Sequence, residues 1–144
     1  MTRTATDSSI LVAALASWHE SHAGALRALE SAMEKGAALV VPADALAETY
    51  AVLTRLPAPH RLSPAVTIEL LRGSFRGVEV VALDPGETWD LLEACAAGQI
   101  AGGAVYDVRI VAAAVKGRAA RILTLDSRHF ERLAPPGLEV VAPG

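Results

Sequence analysis

Four acids in this sequence stand where a carboxylate could do chemistry: Asp7, Glu48, Asp107 and Asp126. Asp107 raises the question most sharply. It lies in GGAVYDVRIVAAAV (102–115), and Ile110, Val111 and Ala114 follow it at the spacing of a helix's apolar stripe. Arg109 and Lys116 point elsewhere. Asp107 is therefore placed on, or at the rim of, its helix's buried face, where an ionised carboxylate is costly unless something positive or hydrogen-bonding meets it. Each acid also has a local explanation. Asp7 and Asp126 stand where a strand pattern gives way to a helix, the setting of an N-cap. Glu48 and Asp107 fall in first turns, where the helix dipole favours acids.

Caps have no need to share a cleft, and carboxylates clustered in one repel each other. A divalent cation would resolve that repulsion. Carboxylates without a thiolate or a clear histidine favour hard ions, Mg²⁺ or Mn²⁺. Such ions keep waters, one of which can become a nucleophile, and two of them can neutralise a phosphate and a leaving oxygen. Ser9 and Thr124, hydroxyls beside the acids, are placed to orient a carboxylate or a water; local capping is their simpler role.

The elements that must bring these residues together are legible as alternating strand and helix patterns. A short strand at Arg3–Thr6 leads into a helix from about Ser9, and a second helical segment spans His22–Lys35, with Ala23, Leu26, Leu29 and Ala32 at helical spacing. ALVV (38–41) reads as a buried strand and is followed by a helix over Asp44–Arg55. After the loop LPAPHRLSP, Ser63 caps a helix closing near Gly73. VEVVAL (78–83) is the third strand, Glu87–Ala97 the next helix, and the helix holding Asp107 follows. RILTL (121–125), a short helix at Ser127–Leu133, the PPG turn and LEVV (138–141) complete the chain. With no repeat or linker, residues 1–144 read as one domain: an α/β three-layer sandwich with a central, mainly parallel sheet flanked by helices. Ligands of such sheets bind beyond the carboxyl ends of the strands. Asp7 and Asp126 belong to that edge, and Glu48 and Asp107 join it if their helices run antiparallel to the strands.

Composition narrows the setting. Of the 144 residues, 52% are hydrophobic and only 4% aromatic, so small aliphatics must fill the core. No apolar run is long enough to span a bilayer, and MTRTATDSS lacks the apolar region of a secretion signal. The single cysteine, Cys95, forbids an internal disulfide and suits a reducing cytoplasm. A formal charge of −3 argues against nucleic-acid binding by bulk charge alone.

DSSILVAAL (7–15), ALAETYAVLTRLP (45–57), GGAVYDVRIVAAAV (102–115) and ILTLDSRHF (122–130) together resemble the four motifs of PIN-domain proteins, and more narrowly the toxin ribonucleases of the VapBC toxin–antitoxin type. The resemblance runs from end to end, in order and spacing. It implies a Mg²⁺-dependent endoribonuclease whose metal-binding acids are Asp7, Glu48, Asp107 and Asp126, supported by the hydroxyls of Ser9 and Thr124. It also implies a homodimer restrained by a small cognate antitoxin, whose arginine can pair with the carboxylates. One departure stands out. TRTAT, before Asp7, is polar where the family has an apolar run, which predicts a short or edge strand.

Arg55, Arg61, Arg72 and Arg76 form one basic group, and Arg109, Lys116, Arg118, Arg121, Arg128 and Arg132 a second. These are expected to contact RNA phosphates or to be solvated, with Arg128 and His129 the best placed. WHESH (18–22) is not the HExxH zinc motif and reads as a helix start with Trp18 packed inward. Cys95 reads as a core residue, and Ser127 with His129 does not make a hydrolase triad. Asp84 does not make a receiver domain, because Asp7 is followed by Ser8 and not by a second acid. Two rival functions share this fold: a catalytically inactive binding module, and an RNA-processing nuclease with no toxin role.

Overall fold

The structure is a computed structural model describing residues 1–144. Five strands alternate with seven helices: β1 (Thr2–Thr6), α1 (Ser8–Leu15), α2 (His22–Ala32), β2 (Ala37–Pro42), α3 (Ala43–Arg55), α4 (Pro64–Ser74), β3 (Glu79–Val81), α5 (Pro85–Ala97), α6 (Ala104–Lys116), β4 (Arg121–Leu123), α7 (Ser127–Leu133) and β5 (Glu139–Val141). The strands form one sheet in the order β3-β2-β1-β4-β5, and all the pairings are parallel. The helices flank it, as the alternating pattern requires.

The polar first strand is not at an edge. β1 is the middle strand, paired with β2 on one side and β4 on the other. Thr4, Ala5 and Thr6 are all buried there. Threonine suits this position because its branched side chain packs on a pleated surface, and the Thr6 hydroxyl is satisfied by donating to the Asp7 carbonyl at 3.0 Å. Chain direction reverses its walk across the sheet at β1. Strands β2 and β3 are laid down to one side and β4 and β5 to the other, so the crevice between the carboxyl ends of β1 and β4 is the topological switch point.

Small aliphatics do fill the core. Ile10, Leu11, Ala13 and Ala14 of α1 pack with Val40, Val41, Ile110, Val111, Ala113, Ala114 and Ile122, and Phe130 is the one aromatic side chain in this cluster. Close approach has a price at Gly117, where α6 ends against the sheet: a Cβ there would lie 2.6 Å from Val40 Cγ1 and 3.2 Å from Val81 Cγ2. No helix is long and apolar enough to cross a membrane.

Several local readings need correction. α2 stops at Ala32, before the turn at Gly36, and buries Ala25, Leu29 and Ala32 while Leu26 is exposed. The alanine face, not the leucine face, allows α2 to lie close on its neighbours. Trp18 does not pack inward: it is 47% exposed and stacks on His60 with ring centroids 4.3 Å apart. β4 ends at Leu123, two residues early, because the Leu125 amide leaves the ladder and donates to Ser9 Oγ at 3.0 Å. Cys95 is buried as expected.

Candidate active site

The switch-point crevice is built from Asp7 outward. Asp7 follows β1 directly, and its amide continues the ladder by donating to the Leu123 carbonyl at 3.1 Å. The residue then turns the chain into α1 as its N-cap, with Oδ1 accepting from the Ile10 amide at 3.2 Å. The capping role is therefore real, and it accounts for only part of the carboxylate. Ser9 Oγ donates to Oδ1 at 2.7 Å, and Thr124 Oγ1 donates to Oδ2 at 2.6 Å. Asp7 is only 4% exposed. Burial pushes its pKa above the ordinary aspartate value, against the lowering effect of the Thr124, Ser9 and Ile10 hydrogen bonds, and the negative charge of Asp107 pushes it further up.

The two hydroxyls also join the halves of the sheet. Ser9 Oγ accepts from the Leu125 amide, and Thr124 Oγ1 accepts from the Asp126 amide at 2.9 Å. Each thus donates to Asp7 and accepts from the segment after β4. Asp126 heads α7, yet its side chain makes no capping hydrogen bond and is exposed. The cap explanation fails for this acid, whose carboxylate is left free at the crevice.

Asp107 sits in the first turn of α6, half-buried, at the rim the stripe predicted. What meets it is His129 of α7, whose Nε2 lies 2.8 Å from Asp107 Oδ2. Glu48, on the exposed side of α3, accepts a hydrogen bond from Ser8, the neighbour of Asp7. Asp7 and Asp107 are thus within electrostatic reach of each other, while Asp126 and Glu48 are tied to the same segments by the Thr124 and Ser8 hydroxyls. The four acids are not drawn into a closed group of three or more metal-ligating side chains. Their donor chemistry nonetheless fits a metal. The set is all oxygen, and a buried carboxylate faces a second negative charge that a cation would offset.

Four engagements were not legible in the sequence. Ser8 is the Glu48 partner, and its only advance signal was its place beside Asp7. His129 is turned towards Asp107 and so is not a free phosphate contact; its place three residues after Asp126 put it on the same turn. Arg109 is not free either, because it pairs with Asp44 of α3 and braces the helices that carry Asp107 and Glu48. Lys116 is likewise engaged, with Glu87 at 2.5 Å and the Ala82 carbonyl at 2.9 Å.

Comparison with known proteins agrees with this geometry. The sequence profile of the PIN domain matches residues 5–135. Ribonuclease VapC40 of Mycobacterium tuberculosis is 40% identical over 127 residues, covering 88% of this chain and 89% of its own. Ribonuclease VapC27 of the same species is 36% identical over 137 residues, covering 95% and 94%. The crystal structure of VapBC2 from Rickettsia felis bound to a DNA fragment from their promoter holds a chain that superposes with a TM-score of 0.68 at 16% identity, over 99% of this chain and all of that one. With Asp7 and Asp126 at the switch point of a parallel sheet, a PIN-domain profile over residues 5–135 and two VapC ribonucleases aligned along nearly its whole length, the chain belongs to the PIN-domain family, among its VapC-type ribonucleases.

Proposed function

We propose that this chain hydrolyses RNA phosphodiester bonds with Mg²⁺, or Mn²⁺ in its place, held by Asp7, Glu48, Asp107 and Asp126, as the toxin of a VapBC-type toxin–antitoxin pair. The observation that carries the reading is the buried Asp7 carboxylate, set at the switch point with the charge of Asp107 beside it. An open set of carboxylates suits Mg²⁺, which keeps several waters and is shared with substrate phosphates. A bound divalent ion supplies Lewis acidity towards the scissile phosphate and towards the attacking water.

The chain's own residues do the rest. Ser9 and Thr124 fix both oxygens of Asp7 and hold the Asp126 segment in register with it. Arg109 and Asp44 hold α6 against α3, so the separation of Asp107 from Glu48 is set by a salt bridge as well as by packing. Arg128, exposed and two residues past Asp126, is in no salt bridge and is a cation available to a phosphate of the RNA strand.

An antitoxin partner has a surface to occupy. A groove of about 760 Å³ lies between α3, α4 and β3, lined by Leu46, Tyr50, Ile68, Leu71, Phe75 and Val80 and edged by Arg72 and Arg76. It suits an amphipathic antitoxin helix with acids along one border. α3 is common to this groove and to Glu48. A second copy of the chain has a different face available, where Trp89 and Leu92 of α5 and Tyr106 of α6 are exposed. The cytoplasm is the compartment this reading assigns, as the site of the RNA.

The test is cleavage of a mixed RNA pool by the purified protein, with Mg²⁺ and with EDTA, beside Asp107→Asn. Metal-dependent cleavage abolished by the substitution is expected. Equal inertness of both proteins under Mg²⁺ would leave a binding module on the same fold. Growth arrest on expression, relieved by co-expressing the neighbouring small gene, separates a toxin from an RNA-processing nuclease.

A further inference from the structure

Asp107 has one hydrogen-bond partner in the protein, His129, and only its Oδ2 is engaged. A carboxylate oxygen can only accept here, so the imidazole presents its Nε2–H. The partner comes from the same turn that supplies Asp126. Asp126 is the N-cap of α7 and His129 is its third residue, N3. In a capping box these two positions would bind each other. In α7 they do not: the Asp126 side chain caps nothing, and the N3 side chain crosses to α6 instead. One helical turn thus delivers both a free acid and a donor for a neighbouring acid.

The ring has a second neighbour. Phe130, buried in the core, meets it edge-on with centroids 5.7 Å apart. Helix α6 offers Asp107 no substitute, because Arg109 is paired with Asp44 and Lys116 with Glu87. Asp7, the other nearby charge, repels it. Without His129 the Asp107 side chain would swing away from Asp7 to water, and a metal would have to draw it back.

We infer that His129 is a positioning residue for metal binding: its Nε2–H fixes Asp107 Oδ2 and leaves Oδ1 without a partner in the protein, available to a cation. This rests on the assignment of Asp107 as a metal ligand proposed above. A donor of this kind works by removing the cost of reorienting the ligand, and loss of such a partner typically weakens metal affinity about 10–100-fold.

The experiment is Mn²⁺ binding by electron paramagnetic resonance at one fixed pH, with no RNA present, on the wild type and on Asp107→Asn, His129→Leu and His129→Gln. Glutamine's amide nitrogen can take the place of Nε2, whereas leucine keeps bulk and loses the donor. Thermal unfolding in EDTA checks that each variant is folded. The inference predicts that His129→Leu weakens Mn²⁺ binding about 10–100-fold and that His129→Gln restores most of it. If Asp107→Asn binds Mn²⁺ like the wild type, the ligand assignment itself fails. If Asp107→Asn is weak but His129→Leu binds normally, or if the glutamine variant is as weak as leucine, the positioning role is overturned and the assignment stands.

Discussion

At the residue scale, Asp7 is a carboxylate whose folded environment disfavours its charge. Burial raises its pKa above the unfolded value, so the native state holds the proton more tightly than the unfolded chain does. The resulting stability is present at pH values below the ordinary aspartate range and is lost as pH rises through the raised folded value. For the metal-free protein we predict a fall in stability across that window, absent in Asp7→Asn and reversed by millimolar Mg²⁺; urea unfolding at several pH values, with EDTA or Mg²⁺, measures it. An identical pH dependence of stability in wild type and Asp7→Asn would contradict this. The identity of this acid was legible in the sequence because a strand ended at it. Its neighbours' roles were less so. Ser9 and Thr124 were recognised as hydroxyls beside acids, but their bonds across to Leu125 and Asp126 depend on two segments more than a hundred residues apart.

Elements decide how firmly the acids are held. α6 carries Asp107 and ends at Gly117, whose missing Cβ lets the helix terminus meet Val40 and Val81. Gly117→Ala should destabilise by about 1–3 kcal/mol through overpacking, read as a lower urea midpoint at unchanged slope. α5 is tied to α6 by Lys116 and Glu87, and Asp84 and Glu87 form a capping box at its start. Glu87's pKa is lowered, chiefly by the Asp84 amide and then by Lys116. Its contribution runs opposite to that of Asp7: present above the ordinary glutamate value and lost as pH falls through the depressed one. Glu87→Gln should flatten the acid limb of the stability profile, which thermal melts between pH 3 and pH 6 would reveal (about the range spanning carboxylate titration). Helix existence followed from apolar spacing, and the Ser63 cap was read directly and is observed. The interior placement of β1 was not, because polarity in a strand signals exposure unless threonine hydroxyls find partners, and those partners are tertiary. Trp18 misled for a related reason: its stacking partner, His60, lies on another loop.

For the whole molecule, strand order turns a list of motifs into a site. The order β3-β2-β1-β4-β5 sets the ends of β1 and β4 side by side, and with them Asp7 and Asp126. Alternation of strands and helices announced a parallel sheet, but not which strand neighboured which. The apolar groove of α3, α4 and β3 was likewise invisible, since it exists only once those elements pack. Ile68 is 43% exposed on it. Ile68→Glu should weaken inhibition by the cognate antitoxin about tenfold or more, the worth of one lost apolar anchor with a charge in its place, while leaving RNA cleavage by the free toxin unchanged. An inhibition titration of the two proteins distinguishes this from a groove with no partner.

The most direct test of the central claim is to locate Mn²⁺ by its anomalous scattering in crystals grown with the ion. A peak is expected at the carboxyl ends of β1 and β4, among Asp7, Asp107, Asp126 and Glu48, that disappears in Asp107→Asn. Ordered Mn²⁺ elsewhere with this crevice empty, or a peak unchanged by the substitution, would contradict it.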